Sequence, residues 1–279
     1  MLDDEKLQSI EMQLLLEGVA RAYGYDFREY AEASMRRRML SWLSQSRFSS
    51  FGEALYHVLR DEAIFHDLLR GLTVNVTEMF RDPDVFKAIR EQVVPHLKTY
   101  PFIKIWHAGC ATGEEAYSMA ILLDEEGLNG RYRIYATDVN PDVLAKAQRG
   151  IFPLKEMKTF TRNYQKSGGK STFSEYYTAD YDHAILMPTL RESMVFASHN
   201  LAIDGEFGEM QMVICRNVLI YFKQPLKDRA FGLFDSCLSP GGFLCLGTKE
   251  TIEGRTLAAQ YQEVAPRSRI YRKRYGPEK

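Results

Sequence analysis

The sequence lacks an excess of charge of one sign, a membrane-length apolar run and a paired-cysteine motif. Its 36 Lys and Arg residues nearly balance 37 Asp and Glu residues, so no net field attracts a nucleic acid. No apolar run reaches the roughly 20 residues that a membrane helix requires. The first residues are acidic and lack the layout of a signal peptide. No CxxC pair occurs among the four cysteines. We expect a cytoplasmic protein without membrane insertion, disulfides, structural zinc or a nucleic-acid partner.

What the sequence does contain is two successive patterns of apolar residues. Residues 1 to about 95 predict helices, because apolar side chains recur at three- and four-residue spacing. From residue 103 onward, short apolar strands alternate with helices, which is typical of βαβ units on a parallel sheet. We place the helices at 7–23, 27–43, 51–60, 63–69, 114–126, 141–149 and 225–238, and the strands at 103–108, 132–137, 194–197, 212–215 and 243–246.

The predicted domains follow these two patterns. Residues 1–85 form a helical N-terminal domain with its linker, and residues 86–279 form an α/β domain. Residues 151–193 interrupt the alternation and are longer than the dozen or so residues that a parallel crossover needs. We interpret them as an inserted small antiparallel β-subdomain. Ser239-Pro-Gly-Gly242 predicts a sharp turn into the following strand.

A glycine-containing turn joins the first strand of the α/β domain to a helix. Gly109 and Gly113 allow backbone to approach a ligand closely, and Glu114 and Glu115 stand where a phosphate would sit in a nucleotide-binding turn. Carboxylates repel phosphate and favour a ligand with cationic groups, such as the sulfonium and amine of S-adenosylmethionine (SAM). The alternative is a structural turn whose acidic residues favour the helix dipole.

Polar residues also follow two later strands. Asp138 ends the second strand, where an acidic residue commonly binds ribose hydroxyls; alternatively, it caps the next helix. Arg216 and Asn217 directly follow a buried apolar strand, and such polar groups are costly there without partners. Tyr221 lies one helical turn after Asn217, so both can face one site. The alternative for this segment is an ordinary strand end followed by a helix cap.

Together these segments resemble the chemotaxis receptor methyltransferase (CheR) family. The resemblance runs from about residue 27 to 271 and rests on four ordered motifs: Asn75-Val-Thr77-Glu-Met-Phe-Arg81, Ala111-Thr-Gly113-Glu-Glu-Ala-Tyr-Ser118, Ala136-Thr-Asp138 and Cys215-Arg-Asn-Val-Leu-Ile-Tyr-Phe222.

The resemblance implies a Rossmann-like SAM-dependent methyltransferase domain with a small antiparallel β-subdomain insertion, preceded by a small all-helical domain. The implied reaction is methyl transfer from SAM to glutamate carboxylates of a chemoreceptor, leaving S-adenosylhomocysteine (SAH). Arg81 and Tyr221 match positions beside the transferred methyl group. The cofactor contacts it implies are Asn75, Thr77, Arg81, Glu114, Glu115, Asp138, Asn200, Leu201, Arg216 and Asn217, to which the turn adds Gly109.

The resemblance also suggests the partner. A basic helix of the family faces the receptor, and Arg36, Arg37 and Arg38 form the corresponding basic run; a solvated helix face is the alternative. Members that dock on a receptor's C-terminal pentapeptide tend to carry a glycine turn in the insertion, where this chain has Asp180-Tyr-Asp-His183. We therefore expect no pentapeptide docking. His107 and His199 have no third ligand at useful spacing, so we expect no metal site.

Two other functions fit the same segments. One is a SAM-dependent methyltransferase of a small molecule or a nucleic acid. However, Arg216-Asn217-Val-Leu stands where a nucleobase N-methylating enzyme would need an Asp/Asn-Pro-Pro-aromatic turn. The other is a non-catalytic SAM-binding regulatory protein. Retention of both Arg81 and Tyr221 disfavours it, because cofactor binding alone does not need both.

Overall fold

The computed structural model describes residues 3–276. They divide into two compact units. The first contains the chain up to Val74 together with Ile220–Arg229. The second contains Asn75–Leu219 and the chain from Ala230 onward.

The first unit is helical. Its N-terminal part consists of α1 (Asp4–Tyr23), α2 (Glu32–Gln45), α3 (Phe51–Val58) and α4 (Glu62–Leu72). Side chains cap three of these helices, as the Ser50 hydroxyl does by accepting a hydrogen bond from the N–H of Glu53 at 3.2 Å. The apolar faces enclose a core of residues such as Leu15, Met39 and Leu68.

The predicted start of the second helix at residue 27 is wrong, since α2 begins at Glu32. The backbone groups just before α2 form hydrogen bonds with residues 221 and 223 instead. The Ala31 N–H donates to the carbonyl of Tyr221 at 2.7 Å, and the Lys223 N–H donates to the carbonyl of Glu29 at 2.8 Å. Apolar spacing cannot reveal that residues distant in sequence compete for these groups.

The second unit begins with α5 (Pro83–Ala88), a π-helical turn (Ile89–Val93) and α6 (Val94–Leu97). The remaining elements follow in chain order: β1 (Ile103–Ala108), α7 (Glu114–Glu125), β2 (Tyr132–Asp138), α8 (Pro141–Arg149), β3 (Ile151–Pro153), α9 (Met157–Lys166), β4 (Tyr177–Asp180), β5 (His183–Leu186), α10 (Pro188–Glu192), β6 (Met194–Ser198), β7 (Met210–Cys215), α11 (Gln224–Cys237), β8 (Leu238–Leu246), β9 (Tyr261–Ala265) and β10 (Ile270–Lys273). The first residues of α11 belong to the first unit.

Seven strands form the main sheet in the order β6-β2-β1-β7-β8-β10-β9. The strands from β6 to β8 are parallel, and β10 runs antiparallel to both of its neighbours. The chain winds from β1 towards β2 and β6 on one side and towards β7 and β8 on the other. This reversal of strand order between β1 and β7 creates a crevice at their carboxyl ends, which is where open α/β sheets bind ligands.

The insertion is a separate antiparallel sheet in the order β3-β5-β4. Glu125, near the end of α7, anchors it to the main domain. The hydroxyls of Tyr164 and Tyr176 and the N–H of Lys170 donate hydrogen bonds to Glu125, which also pairs with Arg90. The predicted fold class, a Rossmann-like domain with a small antiparallel insertion after a helical domain, is thus confirmed.

The turn predicted at residues 239–242 is instead an irregularity inside β8. Met210 pairs with Leu238 and Met212 pairs with Phe243, so two residues along β7 correspond to five along β8. Gly241 adopts φ +80° there, a conformation that glycine adopts at little cost.

Among residues 3–276, no helix combines the length and apolar character needed to cross a bilayer.

Candidate functional site

Several residues predicted to bind the cofactor lie at the carboxyl ends of the central parallel strands. Gly109 directly follows β1, Asp138 ends β2, Asn200 comes soon after β6, and Arg216 directly follows β7. Because parallel strands end at one edge of a sheet, the fold brings these residues to the same edge. The reversal between β1 and β7 lies within it.

The turn after β1 is built from residues with positive φ. Gly109, Ala111 and Gly113 have φ of +81°, +48° and +93°. A Cβ atom at Gly109 would lie 2.5 Å from a methyl carbon of Val218, so a larger residue has no room there. The positive φ of Ala111 is unusual for a residue with a side chain. Such strain persists only where surrounding contacts impose it.

Asp138 supplies one of those contacts. One carboxylate oxygen accepts a hydrogen bond from the N–H of Ala111 at 2.9 Å, and the other accepts from the N–H of Asn140 at 3.0 Å. Burial raises the pKa of Asp138, and these backbone hydrogen bonds oppose the rise. The backbone N–H of Val139 also contributes a hydrogen bond. Since a carboxylate has about four lone-pair positions, three such bonds leave room for a ribose hydroxyl.

Arg216 lies at the centre of a buried ion-pair network. Its Nη1 donates to Oε2 of Glu115 at 2.8 Å, and its Nη2 donates to Oδ2 of Asp82 at 2.6 Å. Nη1 also donates to the carbonyl oxygen of Arg81 at 3.3 Å. The side chain of Arg216 is only 1% exposed. Arg216 therefore ties the end of β7 both to α7 and to the segment that carries Arg81.

His107 borders this network. Its Nδ1 lies 3.7 Å from Oε1 of Glu115. Burial and the nearby Arg216 lower the pKa of His107 to about 3, so the imidazole is neutral at pH 7. Within residues 3–276, no group of three or more His, Cys, Asp or Glu side chains is placed to hold a metal ion.

Glu114 points into a different part of the site. It is buried, and its carboxylate accepts a hydrogen bond from the hydroxyl of Thr112. Burial raises the pKa of Glu114 to about 7. Glu114 lines a cleft of about 540 Å³ together with the predicted cofactor residues Asn75 and Thr77. The two adjacent glutamates thus have different environments, with Glu115 facing an arginine and Glu114 facing the cleft.

The backbone that carries Arg81 is fixed from α7. The N–H of Phe80 donates to Oγ of Ser118 at 2.9 Å, and the Ser118 hydroxyl donates to the carbonyl of Glu114 at 2.6 Å. Phe80 and Asp82 have φ of +51° and +55°, so Arg81 lies between two strained residues. The Arg81 side chain makes no hydrogen bond to another part of residues 3–276. Burial raises the pKa of Glu115, and the nearby charges of Arg216 and Arg81 oppose that rise.

Glu250 is a buried carboxylate that the sequence did not single out. Its oxygens accept hydrogen bonds from the N–H groups of Asn217, Val218 and Gly247 at 3.0, 3.0 and 2.7 Å. Asn217 has φ of +60°. Glu250 therefore holds the backbone at Asn217, a predicted cofactor residue, against the end of β8. An isolated acidic residue far along the chain gives no signal of this role.

Asn200 and Leu201 begin a short turn after β6. The Asn200 side chain accepts a hydrogen bond from the N–H of Ala202 at 2.9 Å, and its N–H donates to Asp204 at 2.8 Å. The N–H of His199 donates to the carbonyl of Asp138 at 3.1 Å. This last bond connects the Asn200 turn to the predicted ribose-binding residue.

Tyr221 and the three-arginine run belong to the first unit. The arginines are successive residues of α2 and differ in environment. Arg37 is exposed, whereas Arg36 and Arg38 are half-buried. The Arg38 guanidinium lies over the ring of Tyr221, 4.5 Å from its centroid. Two sets of residues predicted separately from the sequence thus meet within this unit.

We predict that Ser118→Ala destabilises the protein and weakens cofactor binding. The substitution leaves the buried N–H of Phe80 without its acceptor, which should lower the free energy of unfolding by about 1–3 kcal/mol. Denaturant titration and SAH titration measure the two effects. Ser236→Ala is the matched control, since it removes an exposed helical hydroxyl bond of 2.9 Å. Equal stability of the two variants would contradict the role given to Ser118.

A second prediction concerns Glu114 and pH. Burial raises its pKa in the folded protein to about 7. The free energy of unfolding is therefore highest below the pKa of the unfolded chain, where Glu114 is protonated in both states, and it falls as pH rises towards and through 7. Glu114→Gln removes this loss. Without cofactor, the variant should gain up to about 3 kcal/mol relative to wild type between pH 5 and pH 8. Denaturant titrations across this range, with the exposed Glu209→Gln as control, measure it; a constant difference would contradict the prediction.

Known proteins resemble the chain over both of its parts. The family model described as CheR methyltransferase, SAM binding domain, matches residues 75–267, and the model described as CheR methyltransferase, all-alpha domain, matches residues 10–73. A Pseudomonas putida protein named Cher3 is 48% identical over 272 residues, covering 98% of this chain and 100% of its own length. A chemotaxis protein methyltransferase of Listeria innocua is 30% identical, covering 84% and 87%.

Solved structures give a more distant likeness. The N-methyltransferase NodS of Bradyrhizobium japonicum, in complex with SAH, is 14% identical, covers 70% of this chain and 88% of its own, and has a TM-score of 0.40. The family models and relatives confirm the resemblance found in the sequence and SAM as the cofactor. The chain belongs to the CheR methyltransferase family and is a SAM-dependent methyltransferase.

Proposed function

We propose that the protein transfers the methyl group of SAM to glutamate side chains of a chemoreceptor and acts in the cytoplasm. The match of both family models in succession carries the proposal, because the chain has the all-helical part as well as the SAM-binding part. Relatives named chemotaxis protein methyltransferase support the receptor as substrate.

The residues at the carboxyl edge of the sheet fit SAM. Glu114 offers a carboxylate in the cleft that it lines, Asp138 retains acceptor capacity for the ribose, and the turn at Gly109 follows β1 at the same edge of the sheet. When bound, SAM supplies an electrophilic methyl group. The residues we propose to hold it are Asn75, Thr77, Arg81, Gly109, Glu114, Glu115, Asp138, Asn200, Leu201, Arg216 and Asn217.

The reaction needs orientation and water exclusion more than proton transfer. A glutamate carboxylate is already ionised at pH 7, so it attacks without a general base. A carboxylate oxygen forms a bond to the methyl carbon while the carbon–sulfur bond breaks, and neutral SAH leaves. We propose that Arg81 holds the other oxygen by a charge-assisted hydrogen bond and that Tyr221 donates a second hydrogen bond. Fixed geometry of this kind contributes much of a methyl-transfer rate.

We further propose that Arg37, which is exposed on α2, and the half-buried Arg36 face acidic receptor helices. The insertion supports receptor recognition without a C-terminal pentapeptide. Its β4–β5 hairpin turns at Tyr181 and Asp182 without glycine. Tyr181 has φ of +51° and is 96% exposed.

A receptor fragment that ends before its C-terminal pentapeptide is therefore expected to be methylated as fast as the complete fragment.

The experiment is to incubate the protein with methyl-labelled SAM and a chemoreceptor cytoplasmic fragment. Base-labile label on the receptor is expected, because glutamyl methyl esters hydrolyse in base whereas methylated amines do not. Label on nucleic acid or small molecules alone would contradict the proposal and indicate another methyltransferase. SAH binding without label on any lysate component would indicate a regulatory protein.

Arg81→Met is expected to lower kcat about 100-fold, since it removes a charged donor at the reacting carboxylate. Saturating SAM and receptor separate this loss from weaker binding. Arg162→Met, an exposed arginine on α9, is the control and should retain wild-type kcat. Full turnover of Arg81→Met at saturation would contradict the proposed role.

A further inference from the structure

Tyr221 is held by the helical unit through its backbone. Tyr30 and Phe222 form an isolated antiparallel bridge, and their rings pack edge to face with centroids 4.9 Å apart. The carbonyl of Tyr221 accepts a hydrogen bond from Ala31 at 2.7 Å. The backbone of Tyr221 and of the two residues after it is thus fixed to the loop that precedes α2. These contacts position its Cα atom but leave the ring free to rotate about its side-chain torsions.

Arg38 restricts the ring itself. Its guanidinium lies over the Tyr221 ring at 4.5 Å from the centroid. Its Nη1 donates to the carbonyl oxygen of Leu72 at 2.6 Å, at the last residue of α4. The guanidinium is therefore fixed at one end by a backbone acceptor while it lies over the aromatic ring. Burial lowers the pKa of Arg38, and a desolvated cation attracts an aromatic ring more strongly than an exposed one.

We propose that Arg38 is a positioning residue that holds the Tyr221 side chain in its catalytic rotamer. This inference rests on the proposed function, which assigns Tyr221 a hydrogen bond to the reacting carboxylate. It separates Arg38 from its neighbour Arg37, which is exposed on the same helix.

The two roles for Arg38 differ in kinetics. Loss of a residue that contacts the receptor raises KM for the receptor. Loss of a positioning residue lowers kcat and leaves receptor KM and SAH affinity unchanged. Arg38→Met is expected to lower kcat about tenfold, as a partly buried cation–π contact implies. Arg38→Lys keeps the positive charge and should recover most of that loss. Arg37→Met should instead raise receptor KM.

The matched control is Arg60→Met. Arg60 lies over the ring of Tyr56 with 3.9 Å to the centroid, on the exposed surface of the same unit. Arg60→Met therefore removes the same type of contact, a cation over a ring, from a tyrosine without a catalytic role. Its kcat and receptor KM should equal those of wild type. A loss of kcat in Arg60→Met equal to that in Arg38→Met would overturn the inference, since any cation–π deletion would then suffice.

A double-mutant cycle tests whether Arg38 acts through Tyr221. In the Tyr221→Ala background, Arg38→Met is expected to cause no further loss of kcat. A tenfold loss of kcat on Arg38→Met in both backgrounds would overturn the inference. So would an Arg38→Met variant that has a raised receptor KM and an unchanged kcat. Arg38→Gln replaces Arg38→Met in the cycle if the latter does not fold. Failure of the wild-type protein to methylate receptors would refute the proposed function instead, so the two failures are distinguishable.

Discussion

The buried guanidinium of Arg216 is the constraint on which the second unit's site depends. Removing an arginine from water is costly unless carboxylates surround it, and Glu115 and Asp82 meet this need. Glu115 lies in the first turn of α7, and Asp82 directly follows Arg81. Satisfying one buried charge therefore sets the positions of the helix after β1 and of the segment before α5. Both carry residues that we propose contact the cofactor.

Strained backbone surrounds this charge. Ala111, Asn217, Phe80 and Asp82 all have positive φ, which costs of order 1 kcal/mol or more for residues with side chains. Each has a specific partner: Asp138 holds Ala111, Glu250 holds Asn217, Ser118 holds Phe80, and Arg216 holds Asp82. Contacts within the chain itself therefore hold all four strained residues. Such preorganisation reduces the free-energy cost of ordering loops when a ligand binds.

Local pattern predicted most of the fold. The buried strands β1, β2 and β7 stand out as apolar runs, and the site residues follow them because parallel sheets bind ligands at that edge. The Arg216-Asn217 pair was identifiable since a buried strand end rarely carries such groups without partners. The insertion was found from excess length, although its strand pairing was not.

What the sequence could not provide depends on contacts between distant residues. Asp82 and Glu250 are single acids without a spacing signal, and the site residues that they bind, Arg216 and Asn217, lie more than 30 residues away. The start of α2 was misplaced because Tyr221 and Lys223 bind the backbone before it. Likewise, the stretch at 239–242 contains typical turn residues, yet Leu238 and Phe243 on either side of it pair with β7, so it lies inside β8 as an irregularity.

Hydrogen exchange with and without SAH tests the assignment of the cofactor site most directly. Backbone amides report local opening, and a bound ligand slows exchange where it orders the chain. Protection is predicted at residues 75–82, 109–115, 138–140, 200–202 and 216–218, with the outer strand β4 unchanged. Protection confined to β4, β9 and β10, with none at the ends of β1, β2 and β7, would contradict the assignment.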